Sequence, residues 1–267
     1  MPTLHIAILA VIQGITEFLP ISSSGHLVLV PVVLDVPDQG LIMDVAVHVG
    51  TLGAVVLYLW REIWTMLLGL ARAVRGRRDP GSRLAGQVVL ATIPVIAAGY
   101  ALNHYYPNGL RGLEVLGWAT LGFGVLLLIA DRIGMTLRRI EHLGYGDVLI
   151  IGLAQALALI PGTSRSGITM TAGRLLGMER TDAARFSLLL SIPAVAGAGA
   201  LKGYELWQTG NEAVTSDIIL AAFLAFVTAL IAITLMIAWL RRATFAPFAV
   251  YRVGLGAAIL ALFYGWI

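Results

Sequence analysis

"LHIAILAVIQGITEFLPISSSGHLVLVPVVL", residues 4–34, decides how this chain is read. Leu4–Phe18 is apolar enough for lipid. As a helix it runs only ~22 Å before "LPISSSG" interrupts it, against a hydrocarbon core of ~30 Å. His26–Leu34 is shorter still, so neither piece spans alone. Irregular polar backbone survives at membrane depth only where protein buries it or where it lines a wet cavity. The stretch is therefore expected to be a re-entrant hairpin: half a helix in, a loop at depth, half a helix out. A second stretch has the same form. Val148–Ile160 stops at "PGTSRSG" and is followed by the short Ile168–Met178.

Between and after these hairpins, six stretches are long enough to cross: Leu41–Leu59, Leu84–Leu102, Leu113–Ala130, Ala183–Leu201, Ile218–Leu240 and Val250–Ile267. The 267 residues are 58% hydrophobic and only 12% charged, about half the charged fraction of a soluble domain. Runs such as "LLLIA" and "IILAAFLAF" do not alternate, which excludes a transmembrane β-barrel. The expected fold is an all-α polytopic membrane protein: six transmembrane helices, two re-entrant helical hairpins and a single membrane domain. The absence of cysteine removes disulfides, thiolate metal sites and a cysteine nucleophile. No Lys or Arg precedes Arg61, so a cleavable signal peptide is not expected.

The net charge of +3 calls for no nucleic-acid partner; in a membrane protein, excess arginine sets topology. Six spans and two hairpins put both termini on one side. The opposite side then collects most of the arginines, among them Arg61, Arg72, Arg75, Arg78, Arg138, Arg174 and Arg180. The terminus side holds Arg111 and Lys202 with Asp35, Asp38, Glu205, Glu212 and Asp217. The positive-inside rule makes the arginine side cytoplasmic and both termini external.

The two interruptions align. "QGITEFLPISSSG" from Gln13 and "QALALIPGTSRSG" from Gln155 match at an offset of 142, pairing Ser22 with Ser164, Ser24 with Ser166 and Gly25 with Gly167. Ser23 meets Arg165, and Glu17 meets Leu159. Each element is followed by three spans and enters from the opposite side. Two inverted-topology repeats, about 1–130 and 147–267, are expected, with a site near the midplane where broken helices point their ends at a ligand.

The residue types suggest what that site does. Serines and threonines at the start of the second half-helices (Ser22, Ser24, Thr163, Ser164, Ser166), with Gly25 and Gly167, can cap and leave backbone N–H groups for an anion. Arg165 adds a cation with fork geometry suited to phosphate, and an arginine at membrane depth is functional by default. Glu17 and Gln13 share a helix face. Glu17 can bind a divalent metal, activate a nucleophile or orient His26, and His26 can carry a proton near neutral pH. Hydroxyl, acid/base, carboxylate and anion cradle together fit phosphoryl transfer, by serine attack or by direct attack of water. The chain has no "GxxxxGK[ST]", "HExxH" or "GxSxG".

With those residues in view, "QGITEFLPISSSGHL" and "LIPGTSRSG" resemble the two signature motifs of the undecaprenyl-diphosphate phosphatases, the bacitracin-resistance membrane phosphatases, over essentially the full length. The resemblance implies a multi-pass enzyme of the bacterial inner membrane. Such an enzyme removes the terminal phosphate of a polyprenyl diphosphate lipid on the outer leaflet and so recycles the carrier for peptidoglycan synthesis. It also implies dependence on a divalent cation, Mg2+ or Ca2+. The family's Glu-or-Gln, three residues, Glu pattern falls on Gln13 and Glu17, so Glu17 is the only carboxylate for a metal. Its serine and histidine fall on Ser23 and His26, and its arginine on Arg165. Ser23 is then the nucleophile, Glu17 and His26 activate it or carry protons, and Arg165 with both Ser-rich loops grips the diphosphate.

The main rival is a transporter or lipid flippase, since inverted repeats with broken helices are common there. The expected partners are lipids and, in a homodimer, a second copy. Asp44 and His48 are expected as a local hydrogen-bonded pair or as the lining of the site mouth, Asp147 as a helix cap, and Pro94 and Pro193 as kinks.

Overall fold

The computed structural model describes residues 3–34, 40–77, 79–105, 112–208 and 216–266. Asp35, Asp38, Arg78, Arg111 and Glu212, which entered the charge count above, lie outside the described residues, as does Ile267 at the end of the last expected span.

The first apolar stretch forms α1 (Thr3–Thr16), ends in the turn at Glu17–Ser22, and resumes as α2 (Ser23–Leu34). Then come α3 (Gly40–Tyr58), α4 (Trp60–Val74), α5 (Pro80–Tyr105) and α6 (Leu113–Ile133). The second interrupted stretch forms α7 (Tyr145–Ala156), a 3-10 turn at Leu157–Leu159, and α8 (Arg165–Leu175). The chain closes with α9 (Arg180–Gln208), α10 (Ser216–Leu240) and α11 (Ala246–Phe263). The protein is all-α and multi-pass. Five helices, α5, α6, α9, α10 and α11, are long and apolar enough to cross, and α3, which turns by 75° into α4, is the candidate for a sixth. α1 and α7 are apolar but too short, as expected of re-entrant elements.

Three boundaries shift with consequence. α8 begins at Arg165, not Ile168, because Ser164 caps it; Arg165 therefore sits in the first helical turn. α11 begins at Ala246 rather than Val250, with a proline in its first turn, which puts Tyr251 and Arg252 inside the helix. Residues 60–74, expected as a connection, are helical. Along α4, Trp60, Trp64, Leu67 and Leu68 are exposed beside Arg61 and Arg72, the two-faced pattern of a helix lying at a lipid–water boundary.

One expected topology charge proves to be a core charge. Arg174 is fully buried. Its Nε donates to Asp131 Oδ1 (3.1 Å), and its other nitrogens donate to the carbonyls of Asp131, Gly134, Met135 and Met178 and to Thr136 Oγ1. Arg180 joins on Asp131 Oδ1 (2.7 Å), and the Phe245 N–H takes Oδ2 (2.9 Å). This knot ties the ends of α6, α8 and α11 together.

Both short helices lie against a spanning helix over a glycine. A Cβ on Gly14 would stand 2.6 Å from the Ala225 carbonyl, so α1 sits hard on α10. A Cβ on Gly152 would stand 2.6 Å from the Ala91 carbonyl, so α7 sits equally close to α5. The apolar core between them includes Phe18, Leu59, Phe186, Leu189, Ile233 and Phe245. It forms a rigid floor beneath the two polar turns.

Candidate active site

The two turns carry the same strained conformation. Ser22 (φ 73°) and Ser164 (φ 66°) are the only non-glycine residues with positive φ among the described residues, and they stand 142 positions apart, at the offset of the sequence match. Such conformations cost roughly 1–3 kcal/mol each and persist only where surrounding contacts fix them. The contacts are also the same. Ser22 Oγ accepts from the Gly25 N–H (3.3 Å) and meets Ser24 Oγ (3.2 Å). Ser164 Oγ accepts from the Gly167 N–H (3.2 Å) and meets Ser166 Oγ (3.1 Å). Each kinked serine is thus the cap of the helix that follows it.

The turns also hold each other. Ser166 Oγ donates to the Leu19 carbonyl (2.9 Å), and the Gly162 N–H donates to Ser24 Oγ (3.3 Å). As a result the turns that lead into α2 and α8 interlock, and the unpaired N–H groups and dipoles of the two helix starts favour an anion.

Glu17 is the hub of the charged residues. Its Oε2 accepts from Ser23 Oγ (3.1 Å) and from Gln13 Nε2 (3.0 Å), and its Oε1 from Arg165 Nη2 (3.3 Å). The ion pair is largely shielded, with side-chain exposures of 14% for Arg165 and 9% for Glu17. Arg165 also donates to the Ser187 carbonyl (3.2 Å) and lies over the Phe18 ring at 5.9 Å. The carboxylate and the arginine, 148 residues apart, therefore come from different loops, and Ser23 stands within reach of the carboxylate as a base.

His26 faces elsewhere. Its Nδ1–H donates to the Ser22 carbonyl (2.7 Å), which leaves Nε2 to accept from Tyr251 Oη (2.6 Å), the two rings being parallel to within 4°. Neither nitrogen points at Ser23. Gln13 uses its second N–H on His48 Nε2 (3.4 Å), and the His48 Nδ1–H goes to the Asp44 carbonyl (2.7 Å). Asp44 and His48 are thus joined through backbone, and His48 reaches the site. The Asp44 carboxylate pairs with Lys202 (2.9 Å).

Of the other expected residues, Thr163 is buried in the second turn, and its Oγ1 has no partner among the described residues. Gly25 has room for a methyl group, its nearest neighbour lying 3.5 Å from a Cβ; Gly167 has none. Asp147 caps α7 through the Gly144 N–H (2.8 Å) and is also paired with Arg138. Two site residues escaped the sequence reading, and they are neighbours: Tyr251, which holds His26, and Arg252, which donates to the carbonyls of Gly162 and Thr163. The available signal was a charge inside an apolar run, "FAVYRVGLGAA".

A hydroxyl bonded to a carboxylate, a guanidinium from the facing loop and two helix N-termini form a set suited to phosphate chemistry. The family model described as bacitracin resistance protein BacA matches residues 6–258. The chain belongs to the BacA family. The BacA match takes in both turns and the Tyr251–Arg252 pair. Curated relatives agree along their whole length. An undecaprenyl-diphosphatase 1 of Rhodospirillum rubrum is 54% identical, over 99% of this chain and 96% of the relative. Undecaprenyl-diphosphatases of Ruegeria pomeroyi and Hahella chejuensis are each 49% identical, over 99% of this chain and 100% and 99% of theirs.

Proposed function

We propose that the chain is an undecaprenyl-diphosphatase, cleaving the terminal phosphate from the diphosphate of a polyprenyl lipid. The observation that carries this reading is the contact of Ser23 and Arg165 with one carboxylate, Glu17, across the meeting of the two turns. Ser23 Oγ attacks the terminal phosphorus as its proton passes to Glu17. The new O–P bond forms as the bridging P–O bond breaks, and the lipid monophosphate leaves. Water then releases phosphate from the serine. Arg165 and the N-terminal amides of α2 and α8 bear the charge that builds on the phosphoryl oxygens. His26 stands at the edge as proton carrier, reached through Tyr251.

The residues present fit a divalent cation only with the substrate's help. Among the described residues no three His, Cys, Asp or Glu side chains gather into a metal site. Gln13 Oε1 is, however, a buried oxygen without a partner, next to Glu17. Glu17 and Gln13 would hold the ion, with diphosphate oxygens and water completing a hard oxygen shell of the kind Mg2+ accepts. Its chemistry there is charge neutralisation on the diphosphate.

We further infer that the halves 1–130 and 147–267 are inverted repeats, which the matched serine turns support. The arginine-rich connections then face the cytoplasm and the site opens to the outer face of the inner membrane. The lipid tail has a path along "AVAGAGAL" (194–201), where Gly197 and Gly199 face open space.

Purified protein with undecaprenyl diphosphate and Mg2+ is expected to release phosphate, and rapid quenching is expected to trap phosphate on Ser23. Release without a phosphoserine would put water in place of Ser23. Folded protein that releases nothing but carries an anion into liposomes would replace the enzyme with a transporter.

A further inference from the structure

Arg252 is fully buried in α11. Its Nη2 donates to two successive carbonyls, Gly162 (2.9 Å) and Thr163 (2.7 Å), inside the turn that precedes α8. Among the described residues its Nε and Nη1 have no acceptor, and it forms no ion pair. A buried charge ordinarily requires an opposite charge, because desolvation alone is very costly. Arg174 shows the usual solution in the same chain, paired with Asp131.

The position of Arg252 gives this imbalance a meaning. A Cβ on Gly167 would lie 2.4 Å from Nη1, so the guanidinium sits directly behind the first turn of α8. That turn carries Arg165 and the helix's unpaired N–H groups. Two guanidiniums and the positive end of a helix are therefore gathered around one turn, against the single carboxylate of Glu17. The surplus is unfavourable until an anion binds in front of the turn.

We propose that Arg252 is a positioning residue of the anion site, with two actions. Its Nη2 fixes the left-handed turn at Gly162–Ser164, which aims Arg165 and the α8 amides. Its unneutralised charge, acting through Gly167, tightens the binding of a phosphate group on the far side. The identity of the ligand rests on the phosphatase reading; its negative charge does not.

Inorganic phosphate is the probe. Its binding to the full-length protein in detergent is read as a rise in melting temperature at constant ionic strength, and as product inhibition of turnover. Arg252→Met is expected to weaken phosphate roughly tenfold or more. Arg252→Lys keeps the charge and loses the two-carbonyl grip. It is expected to hold phosphate within about threefold of wild type while kcat falls about tenfold. Gly167→Ala presses on Nη1, so it should weaken phosphate in the wild-type background and add little to Arg252→Met. A residue that merely fills space would lower the melting temperature of the variants and leave phosphate affinity alone. Wild-type phosphate affinity in Arg252→Met, or full additivity with Gly167→Ala, overturns the proposal. If Arg252→Met does not fold, unchanged affinity in Gly167→Ala overturns it equally. Wild-type protein that binds phosphate but leaves undecaprenyl diphosphate intact would end the phosphatase reading and leave this proposal standing. Wild-type protein indifferent to phosphate would end both.

Discussion

Each end of α8 carries a shielded guanidinium, and the two are treated in opposite ways. At its C-terminal end Arg174 is buried with an acid and with carbonyls on every side. At its N-terminal end Arg165 has a carboxylate at 3.3 Å and a carbonyl at 3.2 Å, and Arg252 behind it has no acid partner among the described residues. The difference separates a charge that holds the fold from charges that wait for a ligand. Saturated, a buried arginine is structural cement; under-paired, it lends its remaining capacity to whatever anion arrives.

The strongest way to break this contrast is to remove the waiting charge. Arg165→Met is expected to lower kcat/KM about a thousandfold, the scale of a lost transition-state cation, with a smaller loss of melting temperature than Arg174→Met gives, because Glu17 keeps its bonds from Ser23 and Gln13. An enzyme assay alongside a thermal scan checks both halves of that statement. The converse substitution, Arg174→Met, strands Asp131 and is expected to cost about 3–5 kcal/mol of stability. Chemical denaturation in detergent measures it, and specific activity per folded molecule should stay near wild type. If Arg174→Met instead spares stability and abolishes turnover, the contrast fails.

Glu17→Gln sharpens it. The amide retains the shape but cannot take the Ser23 proton, so kcat is expected to fall roughly a hundredfold. Phosphate inhibition should strengthen, because Arg165 loses its competing carboxylate. The smallest effect belongs to the exposed pair Arg72–Asp79 (2.7 Å) outside the spans. The hydrogen bond from Arg72, helped by the Gly81 N–H, holds the Asp79 carboxyl below its ordinary range. A depressed carboxyl stabilises the fold above its unfolded pKa of about 3.9 and loses that contribution as pH falls through the folded value. Asp79→Asn should therefore lower stability slightly at neutral pH, where the wild-type contribution is fully present, and flatten the fall in stability below about pH 4.

These contrasts were only partly legible in the sequence. The interrupted helices were, because a polar "LPISSSG" or "PGTSRSG" after too few apolar residues has no stable place in lipid except a protected turn. That the two loops share one site followed from the offset match; the contact of Glu17 with Arg165 did not, because the match sets Glu17 opposite Leu159 and Ser23 opposite Arg165. Arg174 was misread because its partner Asp131 lies 43 residues upstream, and a charge beside a helix end looks solvated until that partner is known. α4 was hidden by its own arginines, which interleave with Trp60 and Trp64 and read as a connection. Arg252 went unremarked inside the expected span Val250–Ile267. The helix starts a full turn earlier, at Ala246, and carries it inward by ~9 Å to the back of the second loop.

From adjacent positions on α11, Tyr251 holds His26 in the first turn of α2 and Arg252 holds the turn before α8. Synthesis runs from the N-terminus, so both loops and every other described helix leave the ribosome before that helix does. Until it inserts, the two strained serine turns lack their outer brace. A nascent chain thus carries all of its reactive side chains through most of biogenesis without the contacts that α11 adds to them. A chain truncated ahead of α11 is therefore expected to insert into the membrane and to hydrolyse less than the full chain, because the second turn lacks the grip of Arg252.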